Sequence, residues 1–324
     1  MKTFQFKFIE KKNFFYTLST LLIITGFTLM ALRGLKAEPV LNWGIDFVGG
    51  STLNLKFPTL EAQLAQADQK QQSRQDITTQ FIERIRTSLT QLSLEKSSIQ
   101  ITPEDEILIK TNSLDTAALK KIQAQLQKDF GSIETLEVDF IGPSIGQELR
   151  NKSIWIILTV CTSLLLFISW RFTFSYGIAA IAALFHDALA TLSIASIFFI
   201  EVDTGFIAAM LTVLGYSMND TIIIFDRIRE NLVQRKTTQS IMNITNLSLN
   251  QTLTRTINTV LTALIMLIAM IIFGGNTIRS FLVVLFIGIA LGTYSSLFIA
   301  SPVFVYFSNK KEAANPPEKV TVKK

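Results

Sequence analysis

The chain has 324 residues, 49% hydrophobic and only 17% charged, with a mean hydropathy of +0.39. That balance excludes an ordinary soluble domain and points to the membrane class. The net charge of +5 is uneven: residues 34–152 carry 13 Lys/Arg against 16 Asp/Glu, and the excess base elsewhere flanks apolar runs, so it speaks for membrane orientation rather than nucleic acid.

Six apolar stretches are long enough to cross a bilayer, near residues 14–32, 153–170, 176–200, 204–225, 256–273 and 280–307. The first follows Lys2, Lys7, Lys11 and Lys12. It is too long for a signal-peptide core, and no small-residue cleavage site follows it, so it reads as an uncleaved anchor. With the N-terminus inside, the short inner segments hold 14 basic residues, including Arg171, Arg227, Arg229, Arg235, Lys236, Lys310 and Lys311. The short outer loops offer Glu201, Asp203 and Arg279. The positive-inside rule then places both termini in the cytoplasm of a plasma (inner) membrane protein and residues 34–152 outside it. Four regions result: 1–33 with the first span, 34–152 outside the membrane, 153–307 with spans two to six, and a basic tail at 308–324.

Within the outer region, residues 51–57 alternate as a strand and residues 77–92 carry an amphipathic helix with Phe81, Ile82, Ile85 and Leu89 on one side. Residues 98–101 and 106–110 read as strands about a turn at Pro103. Residues 114–130 read as a second helix stopped by Gly131, and residues 134–141 as a last strand. The order β-α-β-β-α-β predicts a ferredoxin-like α+β domain. The Gln-rich piece 61–75 reads as a polar insertion, or an extended helix start, with no apolar face to bury.

Charges inside spans are costly, so they weigh most in a search for function. His186 and Asp187 lie in the third span, Asp220 in the second half of the fourth, and Arg255 at the start of the fifth. Asp226 and Arg227 follow Asp220 by six and seven residues, near the same helix face. Gly215, Ser217, Asn219 and Thr221 surround Asp220 with small or polar groups that allow close packing, water or hydrogen bonds. Moving Arg255 towards or away from Asp220 would load or release a proton, the physical minimum for a proton-driven cycle. The alternative is a static buried pair. Adjacent residues on a helix diverge by about 100°, so His186 and Asp187 are not expected to form a dyad; they serve packing and hydrogen bonding, or else a relay. Gly177, Ala179, Ala180, Ala182, Ala183, Gly288 and Gly292 read as helix-packing faces. Cys161 stands alone and His186 is the single histidine, which excludes an internal disulfide and a multi-histidine metal site. No phosphate loop is present, and no cofactor or metal is expected.

Four segments resemble one family: WGIDFVGG at 43–50, with Gly44, Asp46, Gly49 and Gly50; IGPSIGQEL at 141–149; LTVLGYSMNDTIIIFDRIREN at 211–231; and TLTRTINT at 252–259. In this order, over nearly the whole chain, they are similar to SecF, the smaller membrane partner of SecD in protein export. The resemblance implies one six-span half of a twelve-span unit like the resistance-nodulation-division transporters. It implies use of the proton-motive force to assist a preprotein late in its passage, on the outer side, beside the SecYEG channel and after SecA, with YidC- or YajC-type accessory proteins. It puts the proton-coupling residues at Asp220, with its neighbour Asn219, and at Arg255. Partners would be SecD, the channel, unfolded preprotein and membrane lipid, with no nucleic acid and no enzymatic activity. Two other readings stand beside this one: a passive scaffold for SecD or the channel, and an intramembrane aspartyl protease using Asp187 and Asp220.

Overall fold

A computed structural model describes residues 6–70, 73–92, 94, 97–102, 104–111, 116–234, 239–273 and 278–314. The turn expected at Pro103, the basic pair Arg235 and Lys236, Lys2 and the tail beyond residue 314 lie outside these. The chain divides into two units, residues 43–154 and residues 1–42 together with 155–324.

Six helices are long and apolar enough to span a membrane: Ile9–Leu35, Ser144–Arg171, Phe174–Ile197, Thr204–Val233, Ile241–Phe273 and Arg279–Ala313, here spans 1 to 6. Spans 3, 4 and 6 are central, with 50%, 44% and 50% of their most apolar windows buried, whereas spans 1, 2 and 5 bury 17% or less. Small residues explain the close centre. A Cβ added at Gly288 would lie 2.2 Å from Cγ2 of Val213, one at Gly292 2.7 Å from Cβ of Ser217, and one at Gly26 2.4 Å from Cβ of Ser193. Span 6 therefore touches span 4, and span 1 touches span 3, at distances only glycine permits.

Span 5 begins well before the apolar stretch expected at 256–273. Its first turns bury Ile241, Ile244, Thr245, Ser248 and Leu249. Asn246 and Asn250 there accept the amides of Ile9 and Phe6, and Asn250 also donates to the Phe6 carbonyl. Span 6 changes pitch at Ser296–Ala300, a π-helical turn inside the helix. Such turns rotate the side chains that follow and recur at functional sites. Span 4 opens on Asp203, whose carboxylate caps the helix by accepting from the Phe206 amide at 2.6 Å.

The unit of residues 43–154 holds a four-stranded antiparallel sheet made of β1 (Gly50–Lys56), β2 (Ser98–Ile101), β3 (Ile107–Thr111) and β4 (Glu134–Ile141), in the order β2-β3-β1-β4. That is the order of two interleaved split β-α-β units, as the sequence predicts. Pairs such as Leu53↔Ile109 and Ile99↔Ile109 put apolar residues on one face. Three helices pack there: α1 (Pro58–Lys70), α2 (Arg74–Thr90) and α3 (Thr116–Phe130), through Leu60, Leu64, Phe81, Ile85, Ile122 and Leu126. The Gln-rich piece corrects the sequence reading. Its described part up to Lys70 belongs to the helix Pro58–Lys70, in which Leu60, Leu64 and Ala67 are buried at i, i+4 and i+7. Its polar majority hid a narrow apolar stripe. The helix α3 ends where expected, with Gly131 at φ +83° and its amide on the Gln127 carbonyl.

Candidate functional site

Asp187 sits at the centre of the bundle and is wholly buried. Two hydroxyl donors and a ring nitrogen converge on it. Ser217 of span 4 and Ser295 of span 6 reach its Oδ2 at 2.5 and 2.9 Å, and His186 Nδ1 lies 3.0 Å from its Oδ1. The pair therefore does meet, against the sequence expectation. Backbone vectors diverge by about 100°, yet the imidazole is long enough to turn its Nδ1 back over the next carboxylate. From the other ring nitrogen a chain runs outward: His186 Nε2 to Ser19 Oγ, 2.9 Å; Ser19 Oγ to Tyr294 OH, 2.9 Å; and Tyr294 OH to the Phe15 carbonyl, 2.7 Å. Spans 1, 3, 4 and 6 are thus tied by one polar network inside apolar surroundings.

Asp220 is buried one turn further along span 4. Its Oδ2 accepts from Thr293 of span 6 at 3.1 Å, and its Oδ1 has no hydrogen-bond partner among the described residues. Arg255 makes no ion pair with it. Arg255 is exposed and lies near the middle of span 5 rather than at its start, close enough for its charge to act on the Asp220 carboxyl group. Asn219 is likewise exposed, turned away from the Thr293 contact. Gln251, Thr254, Asn258, Thr259 and Thr262 are exposed with Arg255, so a polar stripe runs along span 5. A cation and amides facing lipid tails are costly, so this stripe needs a polar neighbour.

Asp226, Arg227 and Glu230 are engaged at the end of span 4. Asp226 takes both contacts from Arg171 Nη2, at 2.8 and 2.9 Å, and Arg227 holds Glu230 and the Gln251 side-chain oxygen. These are partly exposed pairs that anchor helix ends.

The glycine motif has a backbone explanation. The residues Ile45–Val48 form one helical turn after Gly44; then Gly49 takes φ +74° and Gly50 φ +152°. A Cβ on Gly50 would come within 2.7 Å of the Thr111 carbonyl, and one on Gly146 within 3.0 Å of the Gly49 amide. The segments 43–50 and 141–149, far apart in sequence, therefore cross at their glycines. Asp46 lies on that turn.

Sequence reasoning missed Ser19, Thr293, Tyr294 and Ser295. A signal for three of them was legible in Gly292–Ser296 (GTYSS), a polar quintet inside an apolar span.

A bundle of six membrane-length helices with buried carboxylates, together with a split β-α-β domain, defines a class of polytopic membrane proteins. Residues 121–310 match the family described as protein export membrane protein SecD/SecF, C-terminal, and residues 39–57 match the SecD/SecF GG motif. The chain is 34% identical to the protein translocase subunit SecF of Desulfurispirillum indicum, over 99% of both chains. It is 38% identical to that of Thermobaculum terrenum, over 91% of this chain and 92% of the relative. A crystal structure of SecDF from Thermus, a translocon-associated membrane protein, superposes with a TM-score of 0.78 at 28% identity; it covers 95% of this chain and 39% of that one. SecDF in its super-membrane-facing form gives 0.63 at 26% identity, over 97% of this chain and 40% of that one. The chain belongs to the SecF family of protein translocase subunits, and it spans about two-fifths of the SecDF chains it matches.

Proposed function

We propose that this chain works with SecD as a proton-coupled half of an export motor, drawing an emerging preprotein outwards late in its passage through the SecYEG channel, after SecA. The observation that carries this reading is the mismatch at Asp220 and Arg255. A buried carboxylate keeps one oxygen without a hydrogen-bond partner among the described residues, while an arginine in the next span stands exposed. Transporters built from repeats place their coupling sites between the repeats, and the missing three-fifths of the SecDF chain is the natural source of the second repeat. Proton binding at Asp220 and movement of Arg255 would then bias two arrangements of the halves.

The basic inner loops support both termini lying in the cytoplasm and residues 34–152 lying outside, where the sheet domain would meet preprotein. Accessory proteins of the YidC or YajC type and membrane lipid complete the expected surroundings. We read the chain as non-enzymatic. The Asp187 carboxyl group is already held by two hydroxyls and the His186 ring of its own chain, an arrangement that suits a structural or proton-holding acid better than a protease dyad.

The test is export in cells that carry Asp220→Asn or Arg255→Lys. Both substitutions are expected to remove the gradient-dependent share of export while chain level and SecD co-purification persist. Unchanged export in both would leave a passive scaffold as the better account.

A further inference from the structure

The direction of the hydrogen-bond chain fixes how many protons His186 and Asp187 share. The Phe15 carbonyl can only accept, so the single hydroxyl proton of Tyr294 points at it. Tyr294 must then accept from Ser19, which directs the single proton of Ser19 away from the imidazole. With Ser19 able only to accept from His186, Nε2 must carry a proton. The bond from Nδ1 to Asp187 Oδ1 then holds a second one, on either atom. The pair is an imidazolium with a carboxylate, or a neutral imidazole with a carboxylic acid. Both are neutral in sum, and both hold one proton more than a neutral imidazole beside a carboxylate.

We propose that His186 and Asp187 form a second proton-holding site in the bundle, whose occupancy is locked to the contact between Tyr294 and the Phe15 carbonyl. Loss of its one proton takes the pair from neutral to a single negative charge. Nε2 is then bare and needs a donor, so Ser19 turns to it and Tyr294 turns to Ser19. The Phe15 carbonyl is left without its donor. Protonation in the centre is thereby read out where span 6 grips span 1. The groups that face the pair from the packed elements are Ser19 on span 1, with Tyr16 one turn before it; Ser217 on span 4, with Asp220 one turn beyond; and Ser295 with Tyr294 on span 6. Arg33 of span 1 is held by the Ser196 carbonyl at 2.8 Å, further along span 3. The role in coupling rests on the proton-driven reading above; the proton count does not.

His186 is the single histidine of the chain, so its ring nitrogens can be observed alone. The full chain is labelled with nitrogen-15 histidine, purified through a tag without histidine, placed in lipid bilayers and examined by solid-state NMR at pH 7. The expected wild-type spectrum shows Nε2 bearing a proton. In Tyr294→Phe, Ser19 is released to donate, and the signal of a bare Nε2 is expected to appear as the protonated one declines. A bare Nε2 in the wild type overturns the inference, as does a Tyr294→Phe spectrum identical to the wild type. The wild-type spectrum decides the count even where the variant does not assemble. A bare Nε2 leaves the Asp220 reading standing, whereas unchanged export in Asp220→Asn removes that reading and leaves the count untouched.

Discussion

Replacing Gly288 by alanine isolates the packing that builds the site. The added methyl would lie 2.2 Å from Cγ2, 2.8 Å from Cγ1 and 3.0 Å from Cβ of Val213. A valine in a helix is held near one rotamer, so it cannot swing aside, and span 6 has to move off span 4 by roughly 1 Å to restore ordinary contact. Overpacking of this kind costs about 1–3 kcal/mol. Helix propensity returns roughly 0.5–1 kcal/mol, because alanine is the better helix former. Bonds between the two spans are also strained, among them Thr293 to Asp220 at 3.1 Å and Thr221 to Ser296 at 2.8 Å, each worth about 0.6 kcal/mol in a membrane bundle. The expected net loss is about 1–3 kcal/mol. Gly215→Ala is the control on span 4, since nothing lies within 4 Å of its added methyl; it is expected to gain the propensity term. Reversible unfolding of the chain alone in mixed micelles, followed by circular dichroism, compares the two. Val213→Ala, which removes both γ-carbons, is expected to recover most of the Gly288→Ala loss. The packing argument fails if Gly288→Ala is stabilised to the same extent as Gly215→Ala.

Leu64→Ala in α1 should lower stability of the sheet domain by about 2–5 kcal/mol, because this side chain is fully buried in the sheet–helix core; limited proteolysis of membranes carrying the full chain measures it, and unchanged resistance would return α1 to a surface insertion. Asp226→Asn should cost less than about 1 kcal/mol and leave gradient-dependent export intact, because its pair with Arg171 is partly exposed. The Ser88 hydroxyl and the Gln125 amide hold the Asp129 carboxyl below the ordinary carboxylate range. A lowered acid favours the folded state above its unfolded value, so that contribution is present at neutral pH and lost as pH falls through the lowered value. Asp129→Asn should flatten that part of the acid limb in a pH series of outer-domain proteolysis.

The spans and the sheet domain were legible because their periods differ. Runs of about 20 apolar residues and short alternating strands leave separate marks, and both survive at the level of element order. The start of span 5 was hidden because Asn246, Asn250 and Ser248 make that segment look like a loop, while the partners that satisfy them lie far away in sequence. The stripe Leu60, Leu64 and Ala67 was missed because glutamines outnumber it. At the site, charge in a span marked His186, Asp187, Asp220 and Arg255 by cost alone. It did not reveal that His186 turns back onto Asp187, that Asn219 and Arg255 are exposed, or that span 6 turns Thr293 and Ser295 onto the two carboxyl groups. Those facts depend on helix rotation and on which neighbour approaches, and a one-dimensional pattern carries neither. The glycine motifs were visible as motifs, but their reason, a crossing of two backbones at Gly49 and Gly146, is tertiary.

The most direct test of proton coupling is release of an arrested preprotein from membrane vesicles that contain this chain with its SecD partner, with and without an imposed proton gradient, comparing wild type with Asp220→Asn. The account expects the gradient to speed release in the wild type and to do nothing in the variant, with both complexes assembled to the same level. Equal acceleration in the two would contradict it and make Asp220 a structural residue of the bundle.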